Sequence, residues 1–391
     1  YTLSLHDALP IFSLVAEDGT SPFYFTDNQG NRISPAYAGS MELRMYPEGY
    51  TVVNVVDLES YVKGVIPSEV PSSYGMEALK AQAVCARSYA YIQMMHNKYE
   101  AYGAHVDDSV NFQVYNKQNQ TPETVAAVDE TKGQVLSYKG DIIETYYYST
   151  SYGHTGDYEA WNLDKDAYGY LQGVWVRSEE NPIDLSDEKS FLDYISNVDS
   201  ACYESDLKYF RWNTVLDFQG KDETLLHTIA DRKEHQPEAI SYYKDASKTE
   251  TTDSCSNFGS LQAINVVKRN QSGVILELEL EFQNGAVSVQ SEYNMRAILG
   301  CGITNINLLD GSSVEMSILP SAYISIQAKG DGTYAVLGGG YGHGIGMSQN
   351  GAQKLCGQGF DYKRILNYFY QDTELTELYQ PQNTTKEEGG A

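Results

Sequence analysis

Between Met76 and Met94 the apolar residues Met76, Leu79, Ala83, Ala86, Ala90 and Met94 recur at steps of three and four. That spacing lays one buried stripe along a helix. Half of the stripe is alanine, which lets a neighbour approach closely, so the helix is expected near the centre of its domain. A second row, Lys80, Val84, Arg87 and Tyr91, runs beside it, and Ser72 or Ser73 is available as a cap. Just upstream, Glu69 stands between Pro67 and Pro71. Each proline disfavours helix in the residue before it, so Glu69 is expected in a stiffened loop that presents its carboxylate. A glutamate so placed serves either as a general acid or as a solvated turn residue.

Other segments read as follows. Residues 41–56 alternate around a Pro-Glu-Gly turn and predict a hairpin. Residues 122–136 predict a short helix ended at Gly133, with strands at 135–138 and 142–149. From Leu261 two strands flank a turn at Asn270 to Gly273, and a glycine-rich run from Leu337 opens a further helix. Composition shifts after Val176: residues 178–254 hold 18 acidic and 8 basic side chains. That bias predicts an inserted acidic subdomain, peripheral to the core. Residues 376–391 form a polar tail, disordered from 380 onward.

The whole chain has 391 residues and a formal net charge of −26. This sign disfavours nucleic acid and anionic membranes as partners and leaves neutral glycans open. Tyrosine occurs 33 times, an amphipathic ring suited to interfaces and sugar clefts. The five cysteines are scattered without a CxxC pair, against a zinc ribbon or redox motif. No run of apolar residues is long enough to span a membrane. The opening YTLSLHDALPIF resembles a translated sequencing adapter, so the lack of an export signal carries no message about compartment.

Two clusters carry polar chemistry. Residues 338–349 concentrate glycines around His343, ahead of Ser348 and Gln349. No Lys-Ser/Thr follows, which sets a phosphate loop aside, and a packed turn around a hydrogen-bonded His343 competes with a ligand site. Residues 146–161 pack five tyrosines with Ser149, Ser151, His154 and Trp161, a density expected of a cleft wall. His105, His154 and His343 share no metal-binding context, and no metal or other cofactor is expected.

With these segments in order, the chain resembles the SpoIID/LytB family of stage II sporulation protein D and amidase-enhancer proteins. The likeness rests on LESYVKGVIPSEVP, EALKAQAVCARSYA, FQVYN, ETKGQVLSYKGDIIETYYYSTSYGHT, GYGHGIGMSQNGAQ and ILNYFYQDTEL. It implies an α+β fold, a two-lobed core of twisted strands and packed helices around a cleft, over residues 41–375 with the insertion at 178–254. Residues 1–40 precede it, the first dozen artefactual. Some relatives bind zinc through Cys and His just before QVY, whereas Asn111 and Phe112 stand there in this chain. Where some relatives read Ser-Cys-Gly-His, this chain has Ser151-Tyr152-Gly153-His154.

The resemblance further implies a lytic transglycosylase acting on peptide-free glycan strands of peptidoglycan, in sporulation or cell-wall remodelling. Glu69 falls on the family's catalytic acid and Arg87 on its helix arginine. Tyr146, Ser149, Ser151, His154, Tyr341, His343 and Gln349 are expected, with Arg87, to bind substrate, His343 and its glycines lining the same cleft as Glu69. One acid suffices where the muramyl 6-hydroxyl replaces water as nucleophile, provided partial burial raises its pKa. The alternative is a non-catalytic enhancer that binds glycan and stimulates a cell-wall amidase. Either role implies an extracytoplasmic protein of the wall, or one anchored to a membrane through a segment preceding this chain.

Overall fold

In a computed structural model the structure describes residues 11–109, 112–115, 118–179 and 183–379. The first ten residues, Asn111 and the tail from residue 380 lie outside the described residues. The chain is an α+β protein that divides into two compact units. Residues up to Thr145, Phe360–Lys363 and those from Asp372 make the first, and Tyr146–Gly359 with Arg364–Gln371 the second.

In the first unit β1 (Ile11–Leu14), β2 (Ser40–Tyr46) and β3 (Gly49–Val55) form an antiparallel sheet. Met41 faces Asn54 and Tyr46 faces Gly49, the hairpin expected from the sequence. Helix α1 (Leu58–Glu69) follows, its first turn capped by Asp57, which accepts the Ser60 amide at 3.1 Å. Glu69 is therefore the last residue of a helix, not part of a loop. Pro67 sits inside α1, where it removes one hydrogen bond near the end, while Val62, Val65 and Ile66 are buried in the core cluster of this unit. That burial outweighs the local penalty. Pro71 does end the helix, and Val70 before it is extended at φ −136°, ψ 143°.

Helix α2 (Met76–His96) carries the alanine stripe, with Leu79, Ala83, Ala86 and Ala90 in the same cluster. Its cap is neither serine: Ser72–Tyr74 make a separate 3-10 turn, and Gly75 at φ 91° occupies the N-cap position without a side-chain bond. A side chain is strained at that φ, so glycine stands where a serine was expected. Helix α3 (Pro122–Glu130) has a reciprocal cap between Thr121 and Thr124. Strand β4 (Gln134–Tyr138) pairs with β5 (Asp141–Ile142).

The second unit opens with β6 (Tyr147–Tyr148), followed by α4 (Lys165–Tyr168), α5 (Glu188–Ile195), β7 (Trp212–Asp217), α6 (Asp222–His235) and β8 (Ile240–Tyr243). Then come β9 (Leu261–Arg269), β10 (Ile275–Phe282), β11 (Gly285–Val289), α7 (Glu292–Gly300), β12 (Ile306–Leu308), β13 (Ser313–Val314), β14 (Ile324–Ala328) and β15 (Thr333–Gly338). Last are β16 (Met347–Ser348), α8 (Gln349–Gly357) and α9 (Tyr362–Phe369), whose first two residues belong to the first unit. In the first unit again, β17 (Glu374–Glu377) pairs with β4.

The acidic stretch 178–254 is not a peripheral subdomain. Its strand β7 is the middle of a five-stranded sheet ordered β13-β12-β7-β15-β14, and β8 edges a second sheet, β8-β11-β10-β9. Trp212, Thr214 and Leu216 are buried on one face of β7, the period of two expected of a strand. From α6, Leu225 and Ile229 join the same hydrophobic core as Leu278, Val289 and Val336. Apart from the buried Glu204 and Arg211, its described charged side chains are exposed or half-buried, so net composition concealed a buried pattern.

Candidate functional site

Glu69 is half-buried, and its carboxylate accepts the Val114 amide at 2.8 Å. Val114 lies in FQVYN, which is pinned beside it: Gln113 Nε2 donates to the Ala86 carbonyl of α2 at 3.3 Å, and Gln113 Oε1 accepts the Tyr61 hydroxyl at 3.2 Å. Tyr61 in turn stacks on Tyr115 with centroids 4.9 Å apart. Three separate sequence segments thus converge on one acid. Burial, with added repulsion from Glu144, Asp107 and Glu69, pushes Tyr89 up to about 12, and burial raises Tyr61 likewise.

The sequence offered a single acid here, and the structure adds Asp107 and Glu144. Both are engaged locally. Asp107 accepts the Tyr99 hydroxyl at 3.0 Å and the Ser109 amide and hydroxyl at 2.8 and 2.6 Å, while Glu144 accepts Gln93 Nε2 at 2.7 Å. No motif marks either residue, and only the fold brings them toward Tyr89.

Arg87, expected to touch substrate, has no exposed surface. Its Nε and Nη2 grip Glu59 at 2.9 and 2.8 Å, and its remaining donors reach the carbonyls of Gln134 at 3.0 Å and Val128 at 3.3 Å. The planar fork thereby ties α1, α2, the end of α3 and the start of β4 together. That is a scaffolding role in place of a substrate contact.

The other expected residues all lie in the second unit. There residues 146–156 and 341–351 run side by side. Thr150 bridges Tyr341, Tyr147 and Tyr148 pair with Met347 and Ser348, and Gly156 bridges Ile345. Alternate glycines allow it: Gly340, Gly342, Gly344 and Gly346 have φ of 82°, 112°, 82° and 77°, and a Cβ on Gly346 would sit 2.1 Å from the Tyr146 carbonyl. Tyr341 stacks on Tyr209 at 4.5 Å, and Tyr146 packs edge-on against Trp161 at 4.8 Å. The Ser149 carbonyl accepts the amide and side chain of Asn350 at 3.0 and 2.9 Å.

His343 accepts the Ile345 amide on Nδ1 at 3.1 Å and donates from Nε2 to the Tyr147 carbonyl at 2.8 Å. Both ring nitrogens are held by backbone, and burial lowers its pKa to about 4. It is a neutral clamp between two segments, the packed turn that competed with a ligand site. His154 is buried against Trp175, shares a 2.6 Å bond from Nδ1 to the Thr155 carbonyl, and is likewise lowered to about 4 by burial. Tyr148 and Tyr152 are core residues, not cleft wall. Two polar atoms of this cluster, the Tyr148 hydroxyl and Gln349 Nε2, are buried without a hydrogen-bond partner among the described residues.

Sequence reading missed Glu204 altogether. Fully buried, it accepts the Ser151 amide at 3.0 Å, the Ser151 hydroxyl, and the Ser348 hydroxyl at 2.8 Å. Burial pushes its carboxyl up to about 7, against the lowering effect of those donors. Ser348 Oγ also caps α8 by accepting the Gly351 amide at 3.1 Å. Glu204 therefore joins the two family-like segments from within the stretch expected to be dispensable. Among the described residues no group of three or more His, Cys, Asp or Glu side chains is placed to hold a metal ion, and no helix is long and apolar enough to cross a membrane.

Comparison with known proteins agrees with the motifs. Residues 46–138 match the family model SpoIID, stage II sporulation protein, and residues 154–346 match a domain of unknown function, DUF8618. The amidase enhancer of Bacillus subtilis (strain 168) is 28% identical over 329 residues, 81% of this chain and 40% of that protein. The chain thus spans less than half of that relative. An uncharacterized protein of Brachyspira hyodysenteriae (strain ATCC 49526 / WA1) is 27% identical over 342 residues, 87% of this chain and 72% of its own length. Stage II sporulation protein D of Bacillus subtilis (strain 168) is 26% identical over 365 residues, covering 88% and 83%. The match at residues 46–138 takes in Glu69 and its Val114 partner, so the similarity to SpoIID falls on the domain that holds this carboxylate.

Proposed function

We propose that the protein is a peptidoglycan lytic transglycosylase of the extracytoplasmic cell wall, acting on peptide-free glycan strands with Glu69 as its acid and base. The observation that supports this reading most is the setting of Glu69. It is a half-buried carboxylate, fixed by a backbone amide at 2.8 Å and framed by tyrosines, inside the SpoIID domain. Glu69 donates its proton to the bridging oxygen as the glycosidic C–O bond breaks. The muramyl 6-hydroxyl then attacks the anomeric carbon, and its proton returns to Glu69. A 1,6-anhydro ring forms, no water is consumed, and the carboxyl ends as it began.

Glu69→Gln keeps the shape and the Val114 bond but removes the transferable proton. Release of anhydro-muramyl ends from denuded strands should fall by about 10² to 10⁴ with melting unchanged. Release at the wild-type rate from a normally folded variant would remove Glu69 from the reaction. A second reading, stimulation of a cell-wall amidase by glycan binding, is favoured by the name of the amidase-enhancer relative. It expects Glu69→Gln to leave the stimulation of an added amidase intact.

A further inference from the structure

A cavity of about 850 Å³ opens within the first unit, bounded by β2 and β3, the start of α1, and the turn at residues 99–108. Its volume is that of a small-ligand site, roughly 300 to 1,000 Å³. Six aromatic rings line it, Phe25, Tyr37, Tyr61, Tyr99, Tyr102 and Tyr115. The hydrogen-bond donors of the lining are largely engaged within the protein. The hydroxyls of Tyr61, Tyr99 and Tyr115 donate to Gln113, Asp107 and Asn54, and Arg44 holds Glu42 through Nε and Nη2 at 2.9 and 2.6 Å. Arg44 is also packed on Gly103, where a Cβ would meet Nη1 at 1.6 Å. One buried hydroxyl of the lining, Thr51 Oγ1, has no hydrogen-bond partner among the described residues.

The formal charge of the lining comes from Glu42, Asp107 and Asp108 against Arg44 alone. Aromatic faces, surplus acceptors and negative charge together complement a cation on an apolar body. An anion is repelled, and a neutral sugar loses the donors that Tyr61, Tyr99 and Tyr115 give to Gln113, Asp107 and Asn54. We propose that this cavity binds a primary ammonium on a short aliphatic chain, the side chain of a lysine or other diamino acid carried by a peptide. Glu69 does not line the cavity, although Tyr61, Tyr115 and Asp107 from its surroundings do.

The test is calorimetric titration of the full chain with acetyl-leucyl-lysine amide, its norleucine isostere, and di-N-acetylchitobiose. The lysine peptide should bind at least about 5-fold more tightly than the norleucine peptide. Added salt should weaken it, and Asp108→Asn, a change at an exposed loop position, should weaken it about 3-fold or more. Thr51→Val provides a second variant at the buried wall, also expected to weaken binding. An all-L peptide and one alternating L and D residues distinguish a protein segment from a wall stem peptide as the source of the amine. Equal affinity for the norleucine peptide, tighter binding of chitobiose, or no saturable binding at millimolar concentration would overturn the proposal.

Discussion

Two glutamates, one in each unit, are held in opposite ways. Glu59 in the first unit meets the guanidinium of Arg87 in a two-point ion pair and also accepts the Gly133 amide at 3.1 Å. Glu204 in the second unit meets only an amide and two serine hydroxyls, and its carboxyl is pushed up to about 7. Paired charge ties secondary structure together. A carboxyl held by neutral donors is a titrating joint. Glu69, half-buried at a helix end and bonded to the Val114 amide, lies in neither setting.

The largest effect that can break this comparison comes from removing residues 178–254. The deletion takes out β7 from the centre of its sheet, helix α6 with Leu225 and Ile229, and Glu204 itself. The second unit should then fail to fold, seen as lost cooperativity in thermal melting and rapid proteolysis of residues 146–359. A soluble, cooperatively melting product would show that the five-stranded sheet can close without its middle strand.

How much of this was legible in the sequence follows from what each pattern reports. The period of α2 marked a helix from Met76 to within two residues of its end at His96, because apolar spacing directly encodes which face is buried. The hairpin at β2 and β3 and the turn at Asn270 to Gly273 were legible for the same reason, with turn residues between alternating strands. Glu69 was assigned to a loop because a local proline rule was weighed without the tertiary burial of Val62, Val65 and Ile66 that opposes it. The acidic stretch was misjudged because summed charge describes a surface. The alternation within WNTVLD, with Trp212, Thr214 and Leu216 buried, carried the correct signal. Neither Arg87 as a scaffold nor Glu204 as a joint has any local signature, since their partners lie on elements far away in sequence.

The next effect tests the paired carboxylate. Arg87→Met retains the length of the side chain and removes the cation, leaving Glu59, only 12% exposed, without its ion-pair partner. Breaking a buried pair from one side typically costs about 3 to 5 kcal/mol. Urea denaturation of the variant should show a loss of that order, with Glu59→Gln in the same background recovering part of it because the uncompensated charge is gone. A loss below about 1 kcal/mol, the range of exposed pairs, would mean that solvent reaches Glu59 and that the contrast with Glu204 is one of degree.

The smallest effect concerns the titrating joint and has a definite sign. A carboxyl raised from 4.5 to about 7 on folding binds its proton more tightly in the native state. Stability from this group is therefore fully present below about pH 4.5, falls as pH rises toward 7, and levels off above it, a change of about 3 kcal/mol at most. His154 and His343, both lowered from 6.5 to about 4, act in the other direction, adding stability as pH rises from 4 through 6.5. The raw pH profile is thus a sum of opposing slopes, and the informative quantity is the difference between wild type and Glu204→Gln. The glutamine does not titrate, and the hydroxyls of Ser151 and Ser348 can turn to accept its amide protons. Between pH 5 and pH 8 the wild type should lose stability relative to the variant, most steeply around pH 5 to 6.5, while the histidine contribution cancels in the subtraction. Parallel profiles would show that Glu204 stays ionised throughout, held by its three donors as firmly as Glu59 is held by Arg87.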